Sequence, residues 1–339
     1  MTRKRVFSGM RPTGELHLGN YLGAVRNWIT LQDDYECIYS IVDYHAIASP
    51  FEPEELSQRT INLAIDFLAA GVDPERSLLL VQSLMPEHTE LAWILGSITP
   101  VAWLERVPTY KEKAAMQPDY VNLGLLAYPV LQAADIIMYK AEVVPVGEDQ
   151  VPHVELTREI VRRFNHMFGE TFPEPQALVT EDTARVKSLT EPDKKMSKSL
   201  GPRSYIALSD EPQVVREKIM KAVTDTGPRA EGMAPGVANL FGLLQTFDPA
   251  AHERLLVAYN DGSLRYVELK ETLAEAVSQA FAPFRERRQE LLAKPDYVKE
   301  IILTGARKAR EIAEATMAEV KERTGLQGAT LRGLASLKG

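Results

Sequence analysis

The chain has 339 residues, 45% of them hydrophobic and 25% charged, with a formal net charge of −8. That length favours two domains and supports a large core without staples, and a lone cysteine, Cys37, excludes a disulfide framework or a cysteine-built zinc cluster. No stretch approaches the roughly 18 apolar residues of a membrane span, and the basic start MTRKR leads into no signal-like apolar run, so a reducing, cytoplasmic setting is expected.

Taken in order, the first half alternates strand-like and helix-like segments. RVFSG (5–9) reads as a short buried strand ending in glycine, and Leu22, Val25 and Ile29 mark one face of a helix over 19–32. A strand over 37–45 ends in the polar letters DYH. A helix over 52–71 stops at Gly71, and a third strand covers 76–83. Helices are expected at about 88–99 and 124–140, then a strand at 143–150 running into GEDQ, then a helix at 151–168. Continuous apolar strands joined through helices predict an α/β fold, a Rossmann-like doubly wound parallel sheet, here over residues 1–204. Ligands of such sheets sit beyond the C-terminal strand ends. The polar clusters SGMRPTG, DYH and GEDQ all follow strands, which marks them as candidate site residues.

Beyond about residue 205 strand signals stop. Ser209 or Asp210 is expected to cap a helix carrying Val215, Ile219 and Ala222, residues 227–236 read as a loop, and a long last helix ends at Gly325. An all-helical C-terminal domain, 205–339, is therefore expected. Its end from Arg285 onward holds 12 Lys and Arg against 8 Asp and Glu, on a chain that is acidic as a whole. This reads either as a face for nucleic-acid phosphates or as an ordinary solvated helix surface.

Two segments carry most of the chemistry. In SGMRPTGELHLGNYLGA (8–24), a strand runs through a turn into a helix opened by His17, Gly19 and Asn20. A helix N-terminus offers free N–H groups and positive potential to phosphate, and Gly19 lets a flat group approach the backbone. The plain alternative is that His17 is only a polar cap. The second segment, EPDKKMSKSLGPRS (191–204), gathers Lys194, Lys195 and Lys198 on a loop bracketed by Pro192 and Gly201. Lysines on such a loop can close over a polyphosphate.

Together HLGN and KMSKS resemble the paired signatures of the class I aminoacyl-tRNA synthetases. The order FSGMRPTGELHLGNYLGA, IVDYHAI, YPVLQAADI, VPVGEDQ, KKMSKS is similar to that of the tryptophan-specific branch, over nearly the whole chain and most strongly in residues 6–200. The resemblance implies ATP with Mg2+, L-tryptophan and tRNA(Trp) as partners, a homodimer, no tightly bound cofactor, no protein-held metal and no membrane association. It implies that Arg11, Pro12, Thr13, Gly19 and Asn20 line the ATP site with His17 near the phosphates. Gly147, Glu148 and Asp149 would meet the ribose and Val186 the adenine. In the loop Lys195, Met196, Ser197, Lys198 and Ser199 would face the triphosphate, with Lys195 and Lys198 holding it as pyrophosphate leaves, and Lys113 matches a further phosphate contact. Asp135 would accept the indole N–H, with Tyr128, Gln132, Gln150, Phe7, Gly9 and His45 around the substrate.

Asp135 also stands out physically, because it interrupts the apolar helix LLAYPVLQAADIIMY, where a carboxylate is costly unless paired. Read without the resemblance, it could equally lie on that helix's exposed face, and His45 could be an ordinary core or surface histidine. Some positions depart from the family pattern. Arg11 replaces a usual glutamine, Gln132 a usual methionine against the indole, and Tyr44 a usual glutamine, while LGPRS follows the lysines. The tyrosine enzyme, a smaller nucleotidyltransferase and a non-catalytic relative are the competing readings.

Overall fold

A computed structural model of the chain describes residues 3–179, 186–224 and 232–326, with all their side chains except those of Thr109 and Lys113. Strand β1 (Arg5–Met10) is followed by helix α1, residues 18–31, whose middle turn Tyr21–Val25 is wound as a π-helix. Then come β2 (Glu36–Ile41), α2 (Pro53–Ala70), β3 (Ser77–Val81), α3 (Glu87–Ile98), α4 (Leu123–Met138), β4 (Val143–Val146), α5 (Val151–Phe168) and β5 (Gln176–Val179). The five strands are parallel and ordered β3-β2-β1-β4-β5. The chain therefore winds outward from β1 in one direction, then crosses to β4 on its other side. That reversal between β1 and β4 opens a crevice at the C-terminal strand ends.

Alternation along the strands fills two cores. Val6, Tyr39, Leu79 and Val143 join the cluster that contains Leu63 and Phe67 of α2. Their neighbours Phe7, Ile38, Leu80 and Val144 join the cluster of Leu91, Ala134, Ile137 and Ile160 on α3, α4 and α5. With both faces covered, β1 to β4 do not need the apolar–polar alternation of a half-exposed sheet.

The helical part contains α6 (Pro212–Met220), α7 (Pro235–Phe247), α8 (Pro249–Asn260), α9 (Tyr266–Ala280), α10 (Ala282–Leu292) and α11 (Pro295–Thr324). Helix α6 begins later than expected: Glu211 is its cap residue and Pro212 opens it, while Asp210 accepts from the Ala207 N–H and the Lys218 ammonium instead. Gly71 and Gly325 end their helices in the left-handed region, as expected. Residues 227–231 of the loop expected at 227–236 lie outside the described residues, and its last two, Pro235 and Gly236, already open α7. Helix α11 returns to the sheet. Its Val298 and Ile302 enter the first core, its Ala306 and Ala309 the second, and it crosses the β3 edge at Gly305. A Cβ there would stand 2.0 Å from the Leu79 carbonyl oxygen, so the crossing requires glycine.

Candidate active site

The crevice between β1 and β4 holds a cavity of about 520 Å³. Its walls bring together Phe7, Gly9, Arg11, Asn20, His45, Tyr128, Gln132, Asp135, Gly147, Asp149 and Gln150, eleven of the residues the sequence singled out. Gly9 leaves room that a side chain would take, since a Cβ would stand 2.7 Å from Val42. Phe7 stacks on Tyr139 at 5.6 Å, which fixes one wall.

Asp135 lies on α4 and is 1% exposed. A carboxylate only accepts hydrogen bonds, so its three partners all donate: Gln82 Nε2 at 2.7 Å, His88 Nδ1 at 2.6 Å and His45 Nε2 at 2.7 Å. His88 Nε2 then accepts from the Tyr139 hydroxyl at 2.7 Å. Burial alone would raise the Asp135 pKa, but His45, through its charge and its hydrogen bond, and His88 outweigh it and hold the carboxyl below its usual range. Burial, with the Asp135 charge beside it, keeps the Tyr139 phenol protonated. Gln82 and His88 escaped the sequence reading. The signal was present, because Gln82 directly follows β3, where the rule that singled out DYH and GEDQ also applies.

Toward the rim, the Tyr128 hydroxyl pairs with His153 Nε2 at 2.8 Å, and Gln150 donates to Asp149 at 2.8 Å. Gln132 stands one helical turn before Asp135 on the cavity wall. Glu148 begins the short turn after β4 but is not part of the wall.

His17, Gly19, Met196 and Lys198 gather just beyond Asn20. His17 caps α1: its Nδ1 accepts from the Asn20 N–H at 3.3 Å, and the Asn20 side chain accepts from the His17 N–H. Burial, then the charges of Lys198 and Lys195, lower the His17 pKa to about 3. The ring is therefore neutral at pH 7, and because Nδ1 accepts, its proton sits on Nε2. The lysine segment is a hairpin, not a bare loop. Met196 N–H donates to the Val186 carbonyl and Ser188 N–H to the Lys194 carbonyl, both at 2.9 Å. Met196 is 2% exposed and packs beside Gly19, which gives the hairpin an apolar anchor. Past the hairpin, Leu18 N–H donates to Ile206 O and Leu208 N–H to Leu16 O, so the segment is stitched to the start of α1.

Ser197 caps the turn Lys198–Leu200 by accepting from the Ser199 N–H. Lys198 lies over Gly14, about 3.6 Å from where a Cβ would stand. Burial lowers its pKa to about 8, with Glu15 and Asp66 opposing and Arg59 and Arg11 reinforcing the shift. Lys195 is exposed, and Lys194 pairs with Glu191 at 2.6 Å on the surface. Pro12 and Thr13 form the turn between β1 and α1, outside the cavity wall. Val186 faces a second cavity, of about 390 Å³, between the hairpin and α7. The Lys113 side chain is outside the described ones.

Residues 2–282 match the family model described as tRNA synthetases class I (W and Y). The chain is 44% identical over 329 residues to tryptophan--tRNA ligase 2 of Streptomyces avermitilis, covering 95% of this chain and 97% of that one. It is 43% identical over 329 residues to tryptophan--tRNA ligase of Helicobacter pylori, covering 96% and 100%. The fold is similar to that of tryptophanyl-tRNA synthetase from Campylobacter jejuni complexed with ADP and tryptophan, with a TM-score of 0.84, 37% identity and coverage of 95% and 99%.

Proposed function

The chain belongs to the class I tRNA synthetase family of the tryptophan and tyrosine enzymes, and from that premise we propose that it is a tryptophan--tRNA ligase, with the amino acid in the β1–β4 cavity and the nucleotide at its mouth. The observation that carries the choice of amino acid is Asp135. A carboxylate has about four acceptor positions, and three are filled by Gln82, His88 and His45. The one left suits an indole N–H, which donates and cannot accept. An amino acid lacking that donor leaves the charge short of a partner, which is how such sites discriminate strongly.

The tryptophan carboxylate attacks the α-phosphorus of ATP, the bond to the β-phosphate oxygen breaks, and pyrophosphate leaves. The terminal ribose 2′-hydroxyl of tRNA then takes the acyl group and AMP departs. No protein nucleophile is required. The chain positions the reactants and stabilises phosphate charge. His17 offers Nε2–H to a phosphate oxygen, and Lys195 and Lys198 follow the charge onto pyrophosphate. Lys113 joins them by family resemblance. Arg11, Asn20, Gly147 and Asp149 hold the nucleoside side, with Tyr128 and Gln150 near the substrate amino group. Magnesium rides on the triphosphate and its water.

Residues 1–204 serve activation and 205–339 face the tRNA anticodon, with α11 also packed on the sheet. No described helix is long and apolar enough to cross a membrane, and the setting proposed is the cytoplasm. A homodimer is supported by Trp93, Met116 and Leu123, each at least 75% exposed, the helices of the first two both packing on α4, which Leu123 opens. Pyrophosphate exchange and tRNA charging test the reading. Exchange is expected with tryptophan and not with tyrosine; exchange with tyrosine alone, or with neither, refutes it. Light scattering at micromolar concentration should give twice the chain mass, and a single chain mass refutes the dimer.

A further inference from the structure

Asn239 lies on α7, outside every residue assigned above. Its side-chain amide makes both hydrogen bonds of a peptide group to one residue of the lysine hairpin. Oδ1 accepts from the Lys187 N–H at 3.1 Å, and Nδ2 donates to the Lys187 carbonyl at 3.1 Å. The Ser188 carbonyl lies 3.4 Å from the same Nδ2.

The hairpin's register explains why Lys187 is available. Lys187 stands opposite Lys195 in an antiparallel bridge. The bonds across that bridge come from its neighbours, Met196 N–H to Val186 O and Ser188 N–H to Lys194 O. In that arrangement the N–H and C=O of Lys187 point away from Lys195, as they do at a sheet edge. Asn239 therefore stands where a third strand would. Close packing does not set the spacing here, because the 390 Å³ cavity opens beside the contact, between Val186 and Pro192 of the hairpin and Ala238 and Leu243 of α7. The amide itself is firmly based. One turn earlier, Gly236 sits so close to Val223 that a Cβ would stand 2.1 Å from its carbonyl oxygen. The Val223 N–H in turn holds the Leu189 carbonyl at 2.9 Å.

We propose that Asn239 is a positioning residue for amino-acid activation: by gripping Lys187 it sets the hairpin that carries Lys195 and Lys198, and so ties the helical part of the chain to the phosphate end of the site. This rests on the role given to those lysines above.

The test uses the full chain with Asn239→Asp and Asn239→Ala. Asn239→Asp keeps the shape and the acceptor for the Lys187 N–H, but turns an acceptor toward the Lys187 and Ser188 carbonyls. Single-turnover adenylate formation should fall about 10- to 30-fold in both variants, the effect of one or two net hydrogen bonds. The KM for tryptophan should stay within about twofold, since the amino-acid end is untouched. An Asn239→Asp protein that folds and activates tryptophan at the wild-type rate overturns the clamp. So does a parallel loss of rate, tryptophan binding and thermal midpoint in both variants, which marks Asn239 as structural only. Wild-type chain that shows no tryptophan-dependent exchange overturns the functional reading and this one with it, whereas active wild type with an unaffected Asn239→Asp overturns the clamp alone.

Discussion

Asp135 and Lys198 are charged groups of one site, yet they are held in different ways. Asp135 is sealed at the cavity floor among three donors, one from the β3–α3 connection, one from the first turn of α3 and one from the turn after β2. Lys198 sits in the short turn just past the hairpin with no ion pair to any described residue, and burial has weakened its hold on its proton. The floor is organised before any ligand arrives, as recognition of one small donor demands. In the proposed reaction the mouth keeps its cations in reserve for charge that exists only while pyrophosphate is leaving. On that proposal, selectivity and rate rest on separate parts of the chain.

The sharpest way to break that separation is to remove a cation. Lys195→Ala or Lys198→Ala should lower single-turnover adenylate formation by about 10²- to 10³-fold, the usual loss of one preorganised charge donor. Tryptophan affinity should be unchanged, and a matching loss of affinity would show that the two ends are one unit. At the floor, Asp135→Asn should lower kcat/KM for tryptophan by roughly 10- to 100-fold, the worth of a charge-assisted hydrogen bond, while the KM for ATP stays constant. It should also destabilise the fold by about 3–5 kcal/mol, as breaking a buried pair does. The sign follows from the depressed carboxyl. Its stabilisation is present above the unfolded value near ~3.9 and is lost as pH falls through the still lower folded value. Urea unfolding between pH 7 and pH 3 should therefore show an acid limb that Asp135→Asn reduces. The smallest effect concerns protonation at the mouth. With Lys198 at about 8, kcat/KM for ATP should decline above that pH, by up to about tenfold per unit. Lys198→Arg, which stays charged, should abolish that limb, and an unchanged profile would assign it to another group.

Much of this was legible because the signals were local. Strand runs ending in polar letters marked β1, β2 and β4 and placed the site at their ends. Glycines marked the close of α2 and α11. The fifth strand was missed because Gln176–Val179 is only four residues long, follows a proline-rich turn and is half exposed, so it shows neither a buried run nor alternation. The resemblance singled out Asp135, and the position of Gln82 after β3 was open to view, but their pairing was not legible, since that bond spans 53 positions. The lysine segment read as a plain loop because its anchor, Met196, is a single apolar residue, and only the fold brings it to Gly19. Asn239 had no signal at all, as its meaning depends on a backbone 52 positions away.

The crossing of α11 over β3 has a consequence for how the protein is made. Gly305 closes the strand edge beside Leu79, and 226 residues separate them. At about 5–20 residues per second, a ribosome needs roughly ten to fifty seconds to span that interval. Throughout it the nascent sheet presents an unshielded edge, the kind of surface that pairs with other chains. The cover for that edge is thus a helix not yet translated, and a chain stopped before α11 is expected to aggregate where the full chain does not, a difference that light scattering of the two would show.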